Sequence, residues 1–128
     1  MTRLQRSALL CGALCLPAAV LEGDPSKPGP FTLRAKLPAG YRIAPHHHPA
    51  DERVTVLSGA VRIGMGERFD EATMTTLPAG GYFSMPKGHR HYFLTAEETV
   101  IQLNGVGPWG IVYVNPADDP RLQKGAAK

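Results

Sequence analysis

Three histidines and a glutamate, His46, His48, Glu52 and His91, sit in two glycine-bounded runs, GYRIAPHHHPADERVTVLSG from Gly40 and GGYFSMPKGHRHYFLT from Gly80. Imidazole and carboxylate are ligand types that divalent transition metals select, and affinity alone leaves Fe, Mn, Ni, Cu, Co and Zn all eligible. His46 and His48 are two residues apart, so on an extended strand they project to one face, and Glu52 shares their parity. His47 then points the other way and reads as a surface histidine. In the second run Pro86 and Gly88 make a sharp entry that delivers His91 onto a new strand, with Phe93 and Thr95 on its face. His89 falls in the turn itself, a surface or supporting position. The chemistry implied is the binding of one divalent ion, with protons competing for the ligand nitrogens as pH falls through the ordinary imidazole pKa of roughly 6.5.

Such a set has to be held by short strands, and the rest of the chain supplies them. Twelve prolines and fourteen glycines in 128 residues argue against long helices and for many strands joined by turns. Phe31–Leu37 alternates apolar and polar residues, the pattern of a strand with one wet face. Arg53–Leu57 and Ala60–Met65 read as a hairpin turning at Ser58 and Gly59. Tyr82–Met85, His91–Thr95, Thr99–Leu103 and Gly110–Val114 continue the series. The spacing predicts an all-β fold, a small antiparallel barrel or sandwich of a single domain over residues 31–115. Gly66–Thr76 is expected to be a surface loop or one helical turn, and residues 116–128 a loosely packed tail with a local turn at Asp118–Arg121. Val54, Val56 and Phe93 share parity with the metal-type residues and predict an apolar wall beside them, suited to a small, mostly hydrophobic substrate. Trp109, the only tryptophan, is read as core or interface packing.

The first nineteen residues have a different character. Arg3 and Arg6 precede the apolar run Ser7–Leu16, and Pro17, Ala18 and Ala19 follow it. This is the pattern of a secretory signal peptide and predicts a periplasmic or secreted protein; the run is short for a membrane span, so no stable membrane anchor is expected. Residues 20–30 read as a polar linker or arm. Both cysteines, Cys11 and Cys15, fall in the leader, which leaves the remainder without thiol or disulfide chemistry. Setting the leader aside removes two of the fourteen basic residues and none of the eleven acidic ones, so the formal charge falls from +3 to +1. No Lys/Arg cluster remains for nucleic acid, and neither a Ser/His/Asp nucleophile set nor a phosphate-cradling glycine loop is visible.

The first run fits G-x5-H-x-H-x3-E-x6-G at every fixed position, and the second fits G-x5-P-x-G-x2-H-x3-N except that Thr95 stands in place of Asn. In both motifs the chain resembles the cupin superfamily, with twenty residues between them. The resemblance implies a cupin jelly roll with His46, His48, Glu52 and His91 as metal ligands, and the residue chemistry agrees with it. Four protein ligands on one side of an octahedral ion leave two adjacent positions for water, dioxygen or substrate. The resemblance also implies a small-molecule substrate and a homodimer paired through an outer sheet face, with apolar residues of Phe31–Leu37 available for that contact. Among cupin activities an oxygenase is the leading expectation, beside isomerases, decarboxylases and lyases. The competing expectations are a non-catalytic module binding metal or a small ligand, and a domain that uses metal for stability alone.

Overall fold

The computed structural model describes residues 7–9 and 17–123. Among the described residues eleven strands follow one another: β1 (Ser7–Leu9), β2 (Pro17–Glu22), β3 (Gly29–Leu37), β4 (Arg42–His47), β5 (Glu52–Ser58), β6 (Ala60–Met65), β7 (Thr75–Pro78), β8 (Tyr82–Met85), β9 (His91–Thr95), β10 (Thr99–Gly107) and β11 (Val112–Tyr113). They form two antiparallel sheets, one in the order β1-β2-β3-β10-β5-β8 and the other in the order β11-β4-β9-β6-β7. The fold is all-β and of the jelly-roll type.

Alternation decides which face of each strand is dry. On β3, Phe31, Leu33, Ala35 and Leu37 are buried, while Arg34 and Lys36 are exposed. On β5 the same period buries Val54 and Val56, and β10 buries Ile101 and Leu103 opposite them in register. These side chains meet Ile43, Val61 and Phe93 of the other sheet in one core. Because Phe31, Leu33, Ala35 and Leu37 all face inward, they offer nothing to the outer pairing surface expected of Phe31–Leu37.

The hairpin between β5 and β6 turns at Gly59, whose φ of +82° favours glycine, and a Cβ there would collide with Glu98 O and Thr99. Gly66–Thr76 contains the expected single turn, a 3-10 helix at Glu71–Thr73 capped by Asp70, and then yields β7, a strand the composition did not reveal.

The N-terminal side differs more. Pro17–Glu22, divided in the sequence reading between leader and linker, forms β2 and pairs with the outer edge of β3. Ala18 stands opposite Ala35 and is buried in the core. Unpaired backbone groups along β3 explain the pairing, since an open sheet edge is a template for any adjacent extended segment. Most of the leader reading, and the end of the C-terminal tail, lie outside the described residues. The described part of that tail, expected to pack loosely, is tied down by Arg121, which grips the Asp119 carboxylate and donates to Ile111 O at 2.8 Å.

Candidate metal centre

His46, His48 and His91 converge, with one ring nitrogen of each lying within 4.8 Å of the others. They arrive by different routes. His46 is on β4 and stands directly opposite His91 on β9, a cross-strand pair within one sheet. His48 lies just past the end of β4, in the turn that crosses to the other sheet, and Glu52 opens β5 on that sheet. Strand parity with His46 is therefore not what places Glu52. The Pro49–Asp51 turn ends β4 and carries the chain across the sandwich, so that Glu52 faces the histidines from the opposite wall.

The two motifs are fastened to each other by backbone. Gly88 N donates to His48 O at 3.0 Å, and Lys87 N donates to the Asp51 carboxylate at 2.8 Å. Gly88 has a φ of +80°, the conformation that lets this tight turn present its amide to the first motif. Thr95, in place of the usual Asn, is buried; its hydroxyl donates to Pro38 O at 2.6 Å and accepts from Tyr41 N at 2.8 Å. It thereby pins the loop that leads into β4.

Hydrogen bonding sets the tautomers. His46 Nδ1 lies 2.7 Å from Ala44 O, His48 Nδ1 2.7 Å from Gly110 O, and His91 Nδ1 2.9 Å from His89 O. A carbonyl oxygen only accepts, so each Nδ1 carries the proton, and in the neutral ring each Nε2 is left with a free lone pair. The Glu52 carboxylate lies 3.2 Å from His48 Nε2 and 3.6 Å from His91 Nε2. All four side chains are buried. Acceptors aimed at one another in a dry interior repel unless a positive species, a proton or a metal ion, sits between them. Among the described residues His48 Nε2 has no hydrogen-bond partner, and an orphan of this kind costs about 1–3 kcal/mol. The donor set therefore fits a divalent ion, and the carbonyl-to-imidazole bonds are the outer support that metal-binding histidines use.

Electrostatics point the same way. Burial, followed by the neighbouring His91 and His48, pushes the His46 imidazole down to about 3, so this ring stays neutral well below the ordinary pKa of about 6.5. Burial pushes the Glu52 carboxyl up. The facing His48 and His91 imidazoles more than offset it, holding Glu52 below the ordinary carboxylate range.

The pocket beside these groups is apolar, walled by Leu37, Val54 and Leu103 from one sheet and by Ile43, Phe93 and Ile111 from the other side. Val54 and Phe93 lie where parity put them, whereas Val56 is buried in the core behind. The space open to the centre of a water-sized molecule is about 20 Å³, little more than one water requires. Of the other histidines, His47 is half-buried, and His89 is exposed and serves the site through its carbonyl. Trp109 is 7% exposed and packs on Phe31. The carbonyl partners Ala44 and Gly110 escaped sequence reasoning, because any residue type supplies a carbonyl.

Among the described residues no helix is long and apolar enough to cross a membrane. No curated protein matches the sequence. Among solved structures, the polyketide cyclase RemF from Streptomyces resistomycificus is similar with a TM-score of 0.73 at 16% identity, over 98% of this chain and 93% of that one. The DMSP lyase DddQ from Ruegeria pomeroyi DSS-3 gives 0.65 at 21% identity, over 81% of this chain and 54% of the other. An RmlC-like cupin from Shewanella frigidimarina NCIMB 400 gives 0.59 at 14% identity, over 71% and 75%. These likenesses show a shared fold. Residues 9–113 match the family described as Domain of unknown function (DUF4437). The chain therefore belongs to the DUF4437 family and has the fold of the cupin superfamily.

Proposed function

We propose that the protein is a metal-dependent cupin enzyme in which His46, His48, Glu52 and His91 hold one divalent transition metal ion beside a pocket for a small organic molecule. The observation that carries this is the commitment of all three Nδ1 protons to backbone carbonyls, which leaves three buried Nε2 lone pairs and a carboxylate facing one another. A bound ion would supply Lewis-acid and, for a redox-active metal, one-electron chemistry. The chain's own residues orient and exclude. The apolar wall keeps water from the ligands and selects small, weakly polar molecules.

Similar folds include proteins named as a polyketide cyclase and a DMSP lyase, both acting on small organic molecules. Among the described residues lining the pocket, the four proposed ligands are the only titratable side chains. Acid–base catalysis thus lacks a dedicated residue, which favours an oxygenase, since dioxygen is small and apolar enough for the cavity. The second reading is a non-catalytic binding module, favoured by the narrowness of that same cavity. Oxygen uptake by Fe(II)-loaded protein offered diketones, phenols and thiols separates the two. Uptake with one class supports the enzyme; tight metal binding without turnover of any of them supports the module.

Export to the periplasm or beyond is part of this proposal and rests on the Met1–Ala19 pattern, while a homodimer rests on the cupin resemblance. Mass analysis of the native N-terminus tests the first, since a cut after Ala19 would remove half of β2. Sedimentation tests the second.

A further inference from the structure

The segment after β10 reaches back over the metal centre. Trp109 lies with its ring centroid 4.8 Å from that of His48 at an interplanar angle of 23°, a stacked arrangement. Phe31 tilts against the indole at 5.9 Å, and Trp109 N donates to Pro25 O at 2.7 Å. The next residue, Gly110, supplies the carbonyl that takes the His48 Nδ1 proton. Two consecutive residues thus hold one imidazole by its face and by its edge.

His48 needs this more than its companions do. His46 and His91 stand on paired strands, and their Nδ1 partners, Ala44 and His89, lie two residues away in the same segment. His48 lies in the turn beyond β4, and its partner Gly110 is 62 residues distant in sequence. The indole Nε1 is itself buried and has no hydrogen-bond partner among the described residues. An unmet N–H in the interior is unfavourable, so the indole's own hydrogen bonding is not what sets the ring's orientation; it lies flat against His48.

We propose that Trp109 is a positioning residue for the metal site, acting through His48: with Gly110 it fixes the ring plane and tautomer that aim Nε2 at the ion. The metal role of His48 rests on the function proposed above; the orientation of its ring does not.

The test uses the full chain, its histidines labelled with 15N, with Ni(II) as the probe. In the metal-free wild type the His48 resonances should report a single fixed ring with its Nδ1 proton held in a hydrogen bond. In W109A they should move toward the averaged values of a free imidazole, while those of His46 and His91 stay in place. Ni(II) binding, followed by isothermal titration, should weaken about 10- to 100-fold in W109A, the loss typical for an outer partner of a metal ligand. W109F, which keeps a flat ring, should restore both readouts. V61A removes core mass away from the site and should change neither. If W109A does not fold, W109L fills the space without a flat ring and is read in the same way. Wild-type His48 resonances in the alanine or leucine variant, or an equal loss of Ni(II) affinity in V61A, would overturn the proposal. Should the wild type bind no Ni(II), the metal reading fails, and the His48 resonances still decide whether Trp109 positions the ring.

Discussion

His91 and Tyr92 are neighbours on β9, each 1% exposed, and they point to opposite faces of the same sheet. Outside, Tyr92 is covered by Phe69 at 4.9 Å, and the Arg42 guanidinium lies 3.7 Å from the Phe69 ring centroid. Its hydroxyl donates to Asp70 O at 3.1 Å and meets the Thr73 hydroxyl at 2.8 Å. Inside, His91 shares a buried cluster in which His48 Nε2 has no hydrogen-bond partner among the described residues and faces another acceptor, the Glu52 carboxylate, at 3.2 Å. Each cluster surrounds a buried polar side chain, but only the outer one, whose Asp70 and Thr73 also reach solvent, is internally satisfied. Buried polar groups that stabilise a fold find all their partners; a set of acceptors left facing one another marks where something else binds.

That contrast is open to direct attack, most severely from inside. Replacing His48 or His91 by Ala should abolish stoichiometric metal binding, read by elemental analysis after loading and desalting, and should leave the fold intact. Full occupancy in either variant would mean that the inner cluster is structural like the outer one.

A pH series on metal-free protein probes the same side. His46 binds its proton at about 3 in the fold and at about 6.5 in the unfolded chain, so between these values the unfolded state holds more protons and stability falls as pH falls. Glu52 has the same sign. Its folded pKa lies below 4.5, so the stability it contributes is present above that value and is lost as pH drops through it. The urea midpoint should therefore decline from about pH 6.5 downward, and H46A should flatten the upper part of that slope. An unchanged slope in H46A would show that this imidazole is not the group held neutral by burial.

The outer cluster is expected to respond in stability alone. A Cβ at Gly64 would collide with the Tyr92 ring, so G64A should cost about 1–3 kcal/mol by overpacking, measured by urea denaturation, with metal affinity unchanged. Y92F removes one satisfied hydroxyl and should cost about 1 kcal/mol, again without effect on metal. A loss of metal binding in either variant would couple the two faces and end the distinction between them.

The inner cluster was legible in the sequence because the cupin spacing names its residues, and the glycines at 59 and 88 mark turns that only particular backbone angles make. The reason for one placement was not legible. Glu52 shares parity with His46, yet it arrives from the other sheet because Pro49–Asp51 breaks the strand. β2 was hidden because Pro17–Ala19 and the apolar run before it have the composition of a leader, and edge pairing depends on an open neighbour rather than on local pattern. Ala44, His89 and Gly110 act through backbone carbonyls, which leave no trace in residue type. Thr95 looked like a departure from the motif, but its hydroxyl bonds both Pro38 and Tyr41 and closes the loop before β4.

The central claim is that the inner cluster is a metal site, and metal analysis of wild-type protein purified from its natural compartment tests it most directly. One first-row divalent ion per chain, lost when His46, His48 and His91 are replaced together, is the expected result. An ion-free protein that also takes up none on loading, or one whose metal content survives that triple replacement, would contradict it.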